Sequence, residues 1–255
     1  MAAIQKIDPE IETAKVQLSS SDWQLNTTVS VPKGPMTPKD LVPLTQKLAD
    51  AVVNAAVNSV EQSGEKISCK KGCGACCRQL VPISEAEARY IRDLVNDMPE
   101  ERRSEVRRRF SEARQRLEQS GLLEKLLNRQ QWNDQDVQPL GLEYFRLGIP
   151  CPFLEQESCS IHPDRPVSCR EYLVTSPAAN CARPSGESID QVKIPFKLWT
   201  ALARLDKVNS PSRFIEWVPL ILAPEWADQC PSDSPPRPGM EMLRDLFKQI
   251  SSPKE

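Results

Sequence analysis

Nine consecutive residues, from Cys69 to Cys77, contain four of the nine cysteines of this 255-residue chain. The four are Cys69, Cys73, Cys76 and Cys77, in the spacing C-x3-C-x2-C-C. Such density is typical of a metal site or of a disulfide-bonded knot. Gly72 and Gly74 flank Cys73, so the backbone can turn tightly enough to direct neighbouring sulfurs to a common centre.

A second group of cysteines follows in a segment with frequent prolines: Cys151, Cys159, Cys169 and Cys181. Residues 151–184 have neither helical nor strand periodicity, so this segment would be mobile unless something pinned it. We interpret the two groups as one site. Closing the loop between Cys77 and Cys151 costs about 4 kcal/mol, whereas a structural zinc site contributes about 10–16 kcal/mol. A metal could therefore hold the two groups together.

A disulfide framework is the alternative, and the expected compartment disfavours it. Charges at Lys6 and Asp8 interrupt the apolar stretch that a signal peptide needs, so we expect no export and a cytoplasmic location. The most apolar run, residues 217–223, is too short for a membrane span and contains Pro219, so we expect no membrane anchor. Cytoplasmic cysteine clusters usually bind metal or act in catalysis, and an odd count leaves one thiol outside any disulfide scheme.

The charge balance gives no reason to expect nucleic acid as a partner. The chain has 33 Lys and Arg against 35 Asp and Glu, which creates no long-range field. The basic stretch 102–116 is interleaved with glutamates, and pairs such as Glu105 with Arg109 and Glu112 with Arg116 are four residues apart. This pattern indicates a solvated helix face, and its acids would repel phosphates.

The periodicity predicts a mainly α fold with irregular cysteine-rich metal-binding segments and a small N-terminal β-hairpin. Residues 11–31 alternate as strands, and capping boxes begin helices at Thr37 and Ser84. The predicted helices cover 37–62, 84–96, 99–119, 122–129, 137–147, 193–208 and 240–250, with a turn near Asn133 and Asp134 and a linker over 230–238. We divide the chain into an N-terminal β-ribbon (1–36), a helical cysteine-cluster domain (37–210) and a proline-rich C-terminal extension with a terminal helix (211–255).

The cysteine pattern resembles the YkgJ-type cysteine-cluster family, which is described as zinc- or iron-chelating. The resemblance covers residues 67–183. It rests on the Cys69–Cys77 run, on Cys151-Pro-Phe-Leu and on Cys159-Ser-Ile-His-Pro-Asp-Arg-Pro-Val-Ser-Cys169-Arg-Glu-Tyr. The resemblance implies that all eight cysteines are metal ligands: Cys69, Cys73, Cys76, Cys77, Cys151, Cys159, Cys169 and Cys181. His162 departs from the aromatic residue expected at its position.

The spacing favours an iron–sulfur cluster, such as [4Fe–4S], over zinc. Paired C-x2-C knuckles are the usual zinc arrangement, and they occur here only between Cys73 and Cys76. The later cysteines are separated by seven, nine and eleven residues, and irregular spacing is common in cluster proteins. A flagellin lysine methylase with a related cysteine motif favours the same cofactor. Eight thiols could form two four-ligand sites, or one cluster with spare thiols.

Residues beside the cysteines suggest supporting roles. We expect Lys70, Lys71 and Arg78 to lower thiol pKa values. Arg165 and Arg170 could donate hydrogen bonds to thiolates or form surface salt bridges. His162, the only histidine, is a ligand or, more simply, a local hydrogen-bonding ring, and Cys230 has no assigned role. Adjacent Cys76 and Cys77 point in different directions on most backbones, so one of them serves a second metal or only packs.

Three functions are compatible with such a site. The preferred one is a metal-binding module whose cluster is structural or redox-active. The alternatives are zinc chelation or delivery of metal to another protein, and a cluster-containing enzyme that modifies proteins. The barrel that a radical-SAM enzyme needs is not predicted, and Gly72-Cys-Gly74, the only Gly-x-Gly, lies inside the cysteine motif instead of in a nucleotide loop. The sequence identifies no catalytic residue and no substrate, so whether the protein is an enzyme stays open.

Overall fold

The computed structural model of the protein describes residues 10–128, 134–183, 189–205, 215–231 and 234–251. Within these ranges the chain is mainly helical, with four small two-stranded antiparallel sheets. The α-helices are α1 (Val42–Gln62), α2 (Glu85–Asn96), α3 (Glu100–Gln119), α4 (Leu122–Leu127), α5 (Asp134–Arg146), α6 (Val167–Arg170), α7 (Leu198–Leu205), α8 (Ala223–Gln229) and α9 (Gly239–Ser251). The strands are β1 (Ile11–Ser19), β2 (Gln24–Pro32), β3 (Pro35–Met36), β4 (Pro82–Ile83), β5 (Leu154–Glu155), β6 (Ser158–Cys159), β7 (Val218–Pro219) and β8 (Arg237–Pro238). The predicted fold class is confirmed.

The N-terminal hairpin pairs β1 with β2, from Ile11 opposite Pro32 to Ser19 opposite Gln24. Its buried side chains alternate with exposed ones, because successive residues of a strand point to opposite faces. Val16 and Leu18 of β1 and Val29 and Val31 of β2 are buried. The strand alternation predicted for residues 11–31 is therefore confirmed, and the hairpin packs one face on the helical core.

The capping signals also begin helices where they were predicted. The Asp40 carboxylate accepts the Thr37 N–H at 2.8 Å, and a 3₁₀ turn over Pro38–Leu41 leads into α1. At α2 the Ser84 hydroxyl accepts the Glu87 N–H at 3.1 Å. Helix α3 runs to Gln119 and is followed by Gly121 at a φ of +73°, a conformation that glycine adopts without strain.

The face of α3 carries the predicted ion pairs with one exception. Arg109 contacts Glu105 at 2.9 Å as predicted. Glu112, however, pairs with Arg108 instead of Arg116, and the Arg116 guanidinium donates to the Leu147 carbonyl. The prediction of a Glu112–Arg116 pair was wrong because Arg116 donates instead to the carbonyl of Leu147, the residue that follows α5.

Three clusters of buried residues form the core. The first joins the hairpin to α1, α7 and α9, and also includes Val167 of α6. The second lies between α2, α3 and the 151–161 segment, where Phe110 and Phe153 meet edge to face with ring centroids 5.5 Å apart. The third joins α3, α4 and α5. Cys151 and Cys159 pack against the second cluster, which ties the later cysteines to the hydrophobic core.

Several boundaries differ from the sequence prediction. Helix α5 begins at Asp134, where a turn was predicted; Asn133 lies outside the described residues. Helix α7 begins at Leu198, five residues after the predicted start, and residues 206–208 lie outside the described part. Arg237 and Pro238, predicted as the end of a linker, pair with Pro35 and Met36. Pairing between such distant residues leaves no local signal in the sequence.

Candidate metal centre

The early cysteines lie on a chain of tight turns between α1 and β4. Gly72 has a φ of +86°, and the N–H of Cys73 donates to the Lys70 carbonyl at 3.1 Å. A 3₁₀ turn over Ala75–Arg78 then carries Cys76 and Cys77. All four early cysteines are partly buried and free. Gly72 therefore helps the backbone to turn here, because its positive φ favours glycine, whereas Gly74 has a φ of −92° that other residues also adopt.

Gly74 is where the early segment touches the later one. A Cβ at Gly74 would lie 2.5 Å from the Glu157 carboxylate and 2.7 Å from the Leu154 side chain. The Arg78 guanidinium forms a bidentate ion pair with the same glutamate. Its Nη2 donates to Glu157 Oε1 at 2.7 Å, and its Nη1 donates to Oε2 at 3.0 Å. Arg78 is therefore committed to an ion pair with the loop that joins β5 to β6.

A backbone hydrogen bond joins the two cysteine groups directly. The Cys151 N–H donates to the Cys77 carbonyl at 2.7 Å. From there the chain forms the β5–β6 hairpin, in which Cys159 pairs with Leu154. Cys169 lies on α6, and Cys181, the most buried of the eight, lies in a 3₁₀ turn over Ala178–Ala182. That turn packs on the one that carries Cys76 and Cys77.

The structure brings the eight predicted ligands into one region, in which Cys76 is the common neighbour. The charge of Cys76 raises the pKa of thiols from both groups, among them Cys69 and Cys181 on one side and Cys151 and Cys169 on the other. The Cys77 thiol also hydrogen-bonds to Cys76, which lowers the pKa of Cys76 and raises that of Cys77. Among the residues that the structure describes, no group of three or more His, Cys, Asp or Glu side chains is placed to hold a metal ion.

Backbone amides donate hydrogen bonds to several of the sulfurs. Cys151 Sγ accepts the Phe153 N–H and Cys159 Sγ accepts the Ile161 N–H, each from two residues onward. Cys69 Sγ accepts the N–H of Val174 from the later segment. Donors of this kind orient thiolate ligands and stabilise their negative charge, so they are typical of metal–thiolate sites.

Burial dominates the acidity of the thiols. Desolvation raises the pKa of Cys151 to about 12, and it is also the largest influence that raises the pKa of Cys69, Cys159, Cys169 and Cys181. Of the three cations expected to lower thiol pKa values, Arg78 interacts favourably with the charge of Cys77, although burial outweighs this effect. The effect of Lys70 and Lys71, which are both exposed, stays a prediction. Arg165 lowers the pKa of Cys69, Cys76 and Cys159, and Arg170 also lowers that of Cys159. A metal that binds here must displace thiol protons.

Helix α1 holds the turn that precedes Cys169. Gln46 is buried, and its Nε2 donates to the Asp164 carbonyl at 3.1 Å. Asp50 Oδ2 accepts from Arg170 at 2.6 Å. The sequence did not identify Gln46 or Asp50 as part of the site, although two polar residues four apart on an otherwise apolar helix face were a signal.

Arg170 forms a salt bridge, which was one of its two suggested roles, but its own side chain is buried. The guanidinium is 4% exposed and pairs with the carboxylate of Asp50, which is 46% exposed. Besides contacting Asp50 it donates to the carbonyls of Pro163 and Arg165, which fixes the turn between them. These hydrogen bonds all go to oxygen atoms, and the charge of Arg170 also lowers the pKa of Cys159. Arg170 therefore shapes the backbone that presents Cys169.

Two buried carboxylates flank α6. Glu87, the capping residue of α2, also accepts the Val167 N–H at 2.7 Å. Glu171 Oε1 accepts the Leu198 N–H at 2.6 Å, at the start of α7. Burial raises the pKa of both residues. Each carboxylate links the short helix that carries Cys169 to a longer helix, so the position of this cysteine is fixed from two sides.

His162 lies within reach of the charges of Arg165 and Arg170, whereas Cys230 lies outside both cysteine segments. His162 is exposed at the start of a 3₁₀ turn over His162–Asp164. Cys230 is an exposed thiol at the end of α8. Whether the ring of His162 is a local hydrogen-bonding group or a ligand stays a prediction.

The chemistry of these donors suits a thiolate-bound metal, although in the described residues no three of them are placed to hold one. Eight free thiols lie in one region with amide donors on their sulfurs. Close to them, Arg165 Nε and Ser168 Oγ are buried without a hydrogen-bond partner. Buried donors are usually satisfied, and the charged sulfur of a metal-bound cysteine would be a suitable acceptor for them.

One segment of the chain is similar to a family of cysteine-rich proteins. Residues 68–191 match the CxxCxxCC family, whose description is a putative zinc- or iron-chelating domain. The match confirms the family resemblance seen in the sequence and supports metal binding in general. No curated protein and no solved structure matches the chain. In the part of the chain that the structure describes, every helix is too short or too polar to cross a membrane.

Proposed function

We propose that the protein is a metal-binding module in which cysteines of both segments hold an iron–sulfur cluster of the [4Fe–4S] type. The observation that carries the proposal is the hydrogen bond from the Cys151 N–H to the Cys77 carbonyl at 2.7 Å. It aligns the start of the later segment with the end of the early one. This contact supports a centre shared by cysteines that are far apart in the sequence.

The surroundings of the sulfurs support a cluster over zinc. The candidate ligands are all thiols, whereas His162, which could have joined a Cys–His zinc site, is exposed. Hydrogen bonds to sulfur and low solvent exposure are the means by which proteins set the potential of a cluster. The amides of Phe153, Ile161 and Val174 supply such bonds here. Zinc chelation is the alternative.

A [4Fe–4S] cluster takes four thiolates, and we propose that its ligands come from the eight cysteines of the two segments: Cys69, Cys73, Cys76, Cys77, Cys151, Cys159, Cys169 and Cys181. A bound cluster would supply one-electron redox chemistry and a cross-link between the segments. The chain itself contributes the orientation of the ligands through Arg170, Glu87 and Glu171. It also contributes a positive charge, Arg165, beside the anionic sulfurs.

Metal analysis of the protein purified without oxygen tests this proposal. We expect iron and acid-labile sulfide in equal amounts, a brown colour, and a paramagnetic signal after one-electron reduction. Colourless protein with stoichiometric zinc would contradict the cluster and support zinc chelation. Protein that binds neither metal after reconstitution would contradict metal binding altogether.

Two substitutions test whether the segments share a site. Cys73→Ser in the early segment and Cys169→Ser in the later one should each reduce the metal content, since each removes a ligand. Cys230→Ser is the matched control, because this exposed cysteine lies outside the pattern and should leave the content unchanged. Normal content in either ligand variant would show that the corresponding segment takes no part.

A further inference from the structure

We propose that the tip of the β5–β6 hairpin is a latch over the early cysteine turn, residues 74–78, and that release of the Arg78–Glu157 ion pair opens this turn to incoming and outgoing metal. The tip consists of Gln156 and Glu157, the two residues that connect the strands. This inference rests on the proposed metal-binding function. It adds which contact controls access to the cysteines of the early turn.

The Glu157 side chain is bound to the early turn at three points. Its carboxylate accepts two hydrogen bonds from the Arg78 guanidinium, at 2.7 and 3.0 Å, and a third from the Gly74 N–H. Arg78 Nη1 also donates to the Gly74 carbonyl at 2.9 Å. The two members of the ion pair therefore engage both backbone polar groups of Gly74.

The backbone that the tip covers is the one that positions Cys76 and Cys77. The Cys77 N–H donates to the Gly74 carbonyl at 3.0 Å, and this is the oxygen that Arg78 also binds. The approach is close, since a Cβ at Gly74 would lie 3.2 Å from the Cα of Glu157. Movement of the tip away from Gly74 would therefore open this side of the early turn to solvent.

The sequence of the tip does not favour its conformation. Gln156 and Glu157 have φ values of +47° and +57°. Two successive positive φ values are typical of a type I′ turn, which prefers Asn and Gly. For other residues the left-handed conformation costs about 1–2 kcal/mol each. The contacts of Glu157 therefore stabilise a turn that its own residues disfavour.

The base of the hairpin is attached elsewhere. The Glu155 carboxylate accepts from Arg109 of α3 at 2.7 Å and is also bound by Arg102. Arg102 Nη2 donates to Ser160 Oγ at 2.8 Å. These contacts belong to the strands and the residue after them, so they can stay formed when the tip moves. The hairpin thus combines a base fixed on α3 with a tip that Glu157 attaches to the early turn.

The tip also has space to move and a contact that can break. A cavity of about 660 Å³ lies beside the hairpin, and Gln156 is among the residues that line it. The ion pair is accessible to water, with 33% of the Arg78 side chain and 52% of the Glu157 side chain exposed. Exposed ion pairs contribute less than about 1 kcal/mol and are screened by salt. Such a pair can open and close reversibly.

Two substitutions at the tip should change metal release in opposite directions. Glu157→Gln removes the charge that binds Arg78, so metal-loaded protein should lose metal to a chelator about two- to fivefold faster. Gln156→Asn should slow the loss by roughly twofold, because asparagine adopts the left-handed conformation more readily than glutamine. Glu112→Gln is the matched control, since it breaks an exposed Arg–Glu pair on α3 and should leave the rate unchanged.

Salt provides a test on the wild type. An ionic strength of about 1 M reduces the screening length to about 3 Å, so metal loss from the wild type should accelerate toward the rate of Glu157→Gln. The rate of that variant should change much less. Equal salt dependence of the two proteins, or faster release from Gln156→Asn, would overturn the latch.

Alkylation of the thiols separates the latch from the proposed function, because it needs no bound metal. In reduced protein, Glu157→Gln should raise the alkylation rates of Cys76 and Cys77 by about two- to fivefold. The exposed thiol of Cys230 is the internal reference, and the rate of Cys169, whose helix is fixed by buried carboxylates, should stay the same. Peptide mass spectrometry locates each modified cysteine, and far-ultraviolet circular dichroism shows that each variant folds.

The outcomes are distinct. Selective alkylation of Cys76 and Cys77 in a protein that binds no metal would contradict the proposed function and support the latch as a control of access to these thiols. Unchanged alkylation of both cysteines in Glu157→Gln would overturn the latch, whether or not the protein binds metal.

Discussion

The carboxylate of Glu87 accepts the backbone N–H of Val167 at 2.7 Å while also capping its own helix at Ser84. Both ends of this contact are fully buried, at 1% and 0% exposure. One side chain therefore begins α2 and fixes the first residue of α6, which carries Cys169. The geometry of the candidate metal centre depends in this way on a residue outside the cysteine motif.

Glu87→Gln should weaken one of the two contacts that this carboxylate makes. The amide has nearly the same size but only one acceptor oxygen, so either the cap or the Val167 N–H loses its partner. We expect the free energy of unfolding to fall by about 1–3 kcal/mol and the metal content to decrease. Denaturant unfolding and metal analysis measure the two effects. Glu112→Gln, on the exposed face of α3, is the control and should change stability by less than about 1 kcal/mol.

Gly74→Ala should disturb the contact between the early segment and the β5–β6 hairpin. The new methyl group would lie 2.5 Å from the Glu157 carboxylate and 3.2 Å from its Cα, so both a side chain and the backbone must shift. We expect a loss of about 1–3 kcal/mol in the free energy of unfolding. Gly141→Ala, which meets no atom within 4 Å inside α5, should instead stabilise the protein by up to about 1 kcal/mol. Equal effects of the two substitutions would contradict the close approach at Gly74.

Arg170→Lys should reduce stability although it preserves the charge. A lysine cannot reproduce the planar set of donors that reaches Asp50, Pro163 and Arg165 together. We expect a loss of about 2–4 kcal/mol and weaker metal retention, since the turn before Cys169 loosens. Arg108→Lys, at an exposed pair on α3, should cost less than about 1 kcal/mol. If both variants unfold at the same denaturant concentration, Arg170 does not hold the turn.

Tyr90 should make stability depend on alkaline pH. Partial burial and then the hydrogen bond to Asp164, at 2.8 Å, raise the pKa of Tyr90 to about 12, from an ordinary value near 10. The folded state therefore prefers the neutral phenol. Its contribution to stability is complete below about pH 10 and is lost as the pH rises to about 12.

Tyr90→Phe should reduce the fall in the free energy of unfolding at alkaline pH. Tyr144 and Tyr172 also have raised pKa values, so a smaller slope should remain in the variant. The free energy of unfolding of both proteins between pH 9 and 12, from denaturant titrations, measures the difference. An unchanged slope would show that Tyr90 ionises with its ordinary pKa.

Removing the metal should loosen the later cysteine segment selectively. If ligation pins residues 151–183, chelation under reducing conditions should increase their backbone amide exchange. The N-terminal hairpin over residues 11–32 packs on α1 and α9 and should keep its protection. Hydrogen exchange with peptide resolution compares the two regions, and equal exchange of 151–183 with and without metal would contradict the pinning.

Local signals accounted for most of the helix starts. The capping residues of α2, Ser84 and Glu87, are three positions apart, so their reciprocal hydrogen bonds could be predicted from the sequence. The alternation of apolar residues likewise fixed which face of β2 is buried. These features depend on neighbours within one or two turns, which a sequence pattern records directly.

The contacts that shape the candidate site are mostly distant in the sequence. The capping signal at Glu87 gave no sign that its second oxygen reaches Val167, and the arginines near the cysteines could not be assigned partners in advance. The acidity of the thiols was misjudged for the same reason, because burial depends on packing that charge patterns do not reveal. The grouping of the cysteines was predicted from their density, and their role as ligands stays a prediction.

Asp50 and Arg170 join helix α1 to the cysteine-rich segment, and only one of the two falls within residues 68–191. A fragment trimmed to that span would leave the guanidinium of Arg170 without its acid and the Asp164 carbonyl without Gln46. It would also remove the side chains of α1 and α7 that shield Val167 from water. The cysteine pattern therefore lies within residues 68–191, whereas side chains that hold the cysteine-rich segment in position lie outside this span.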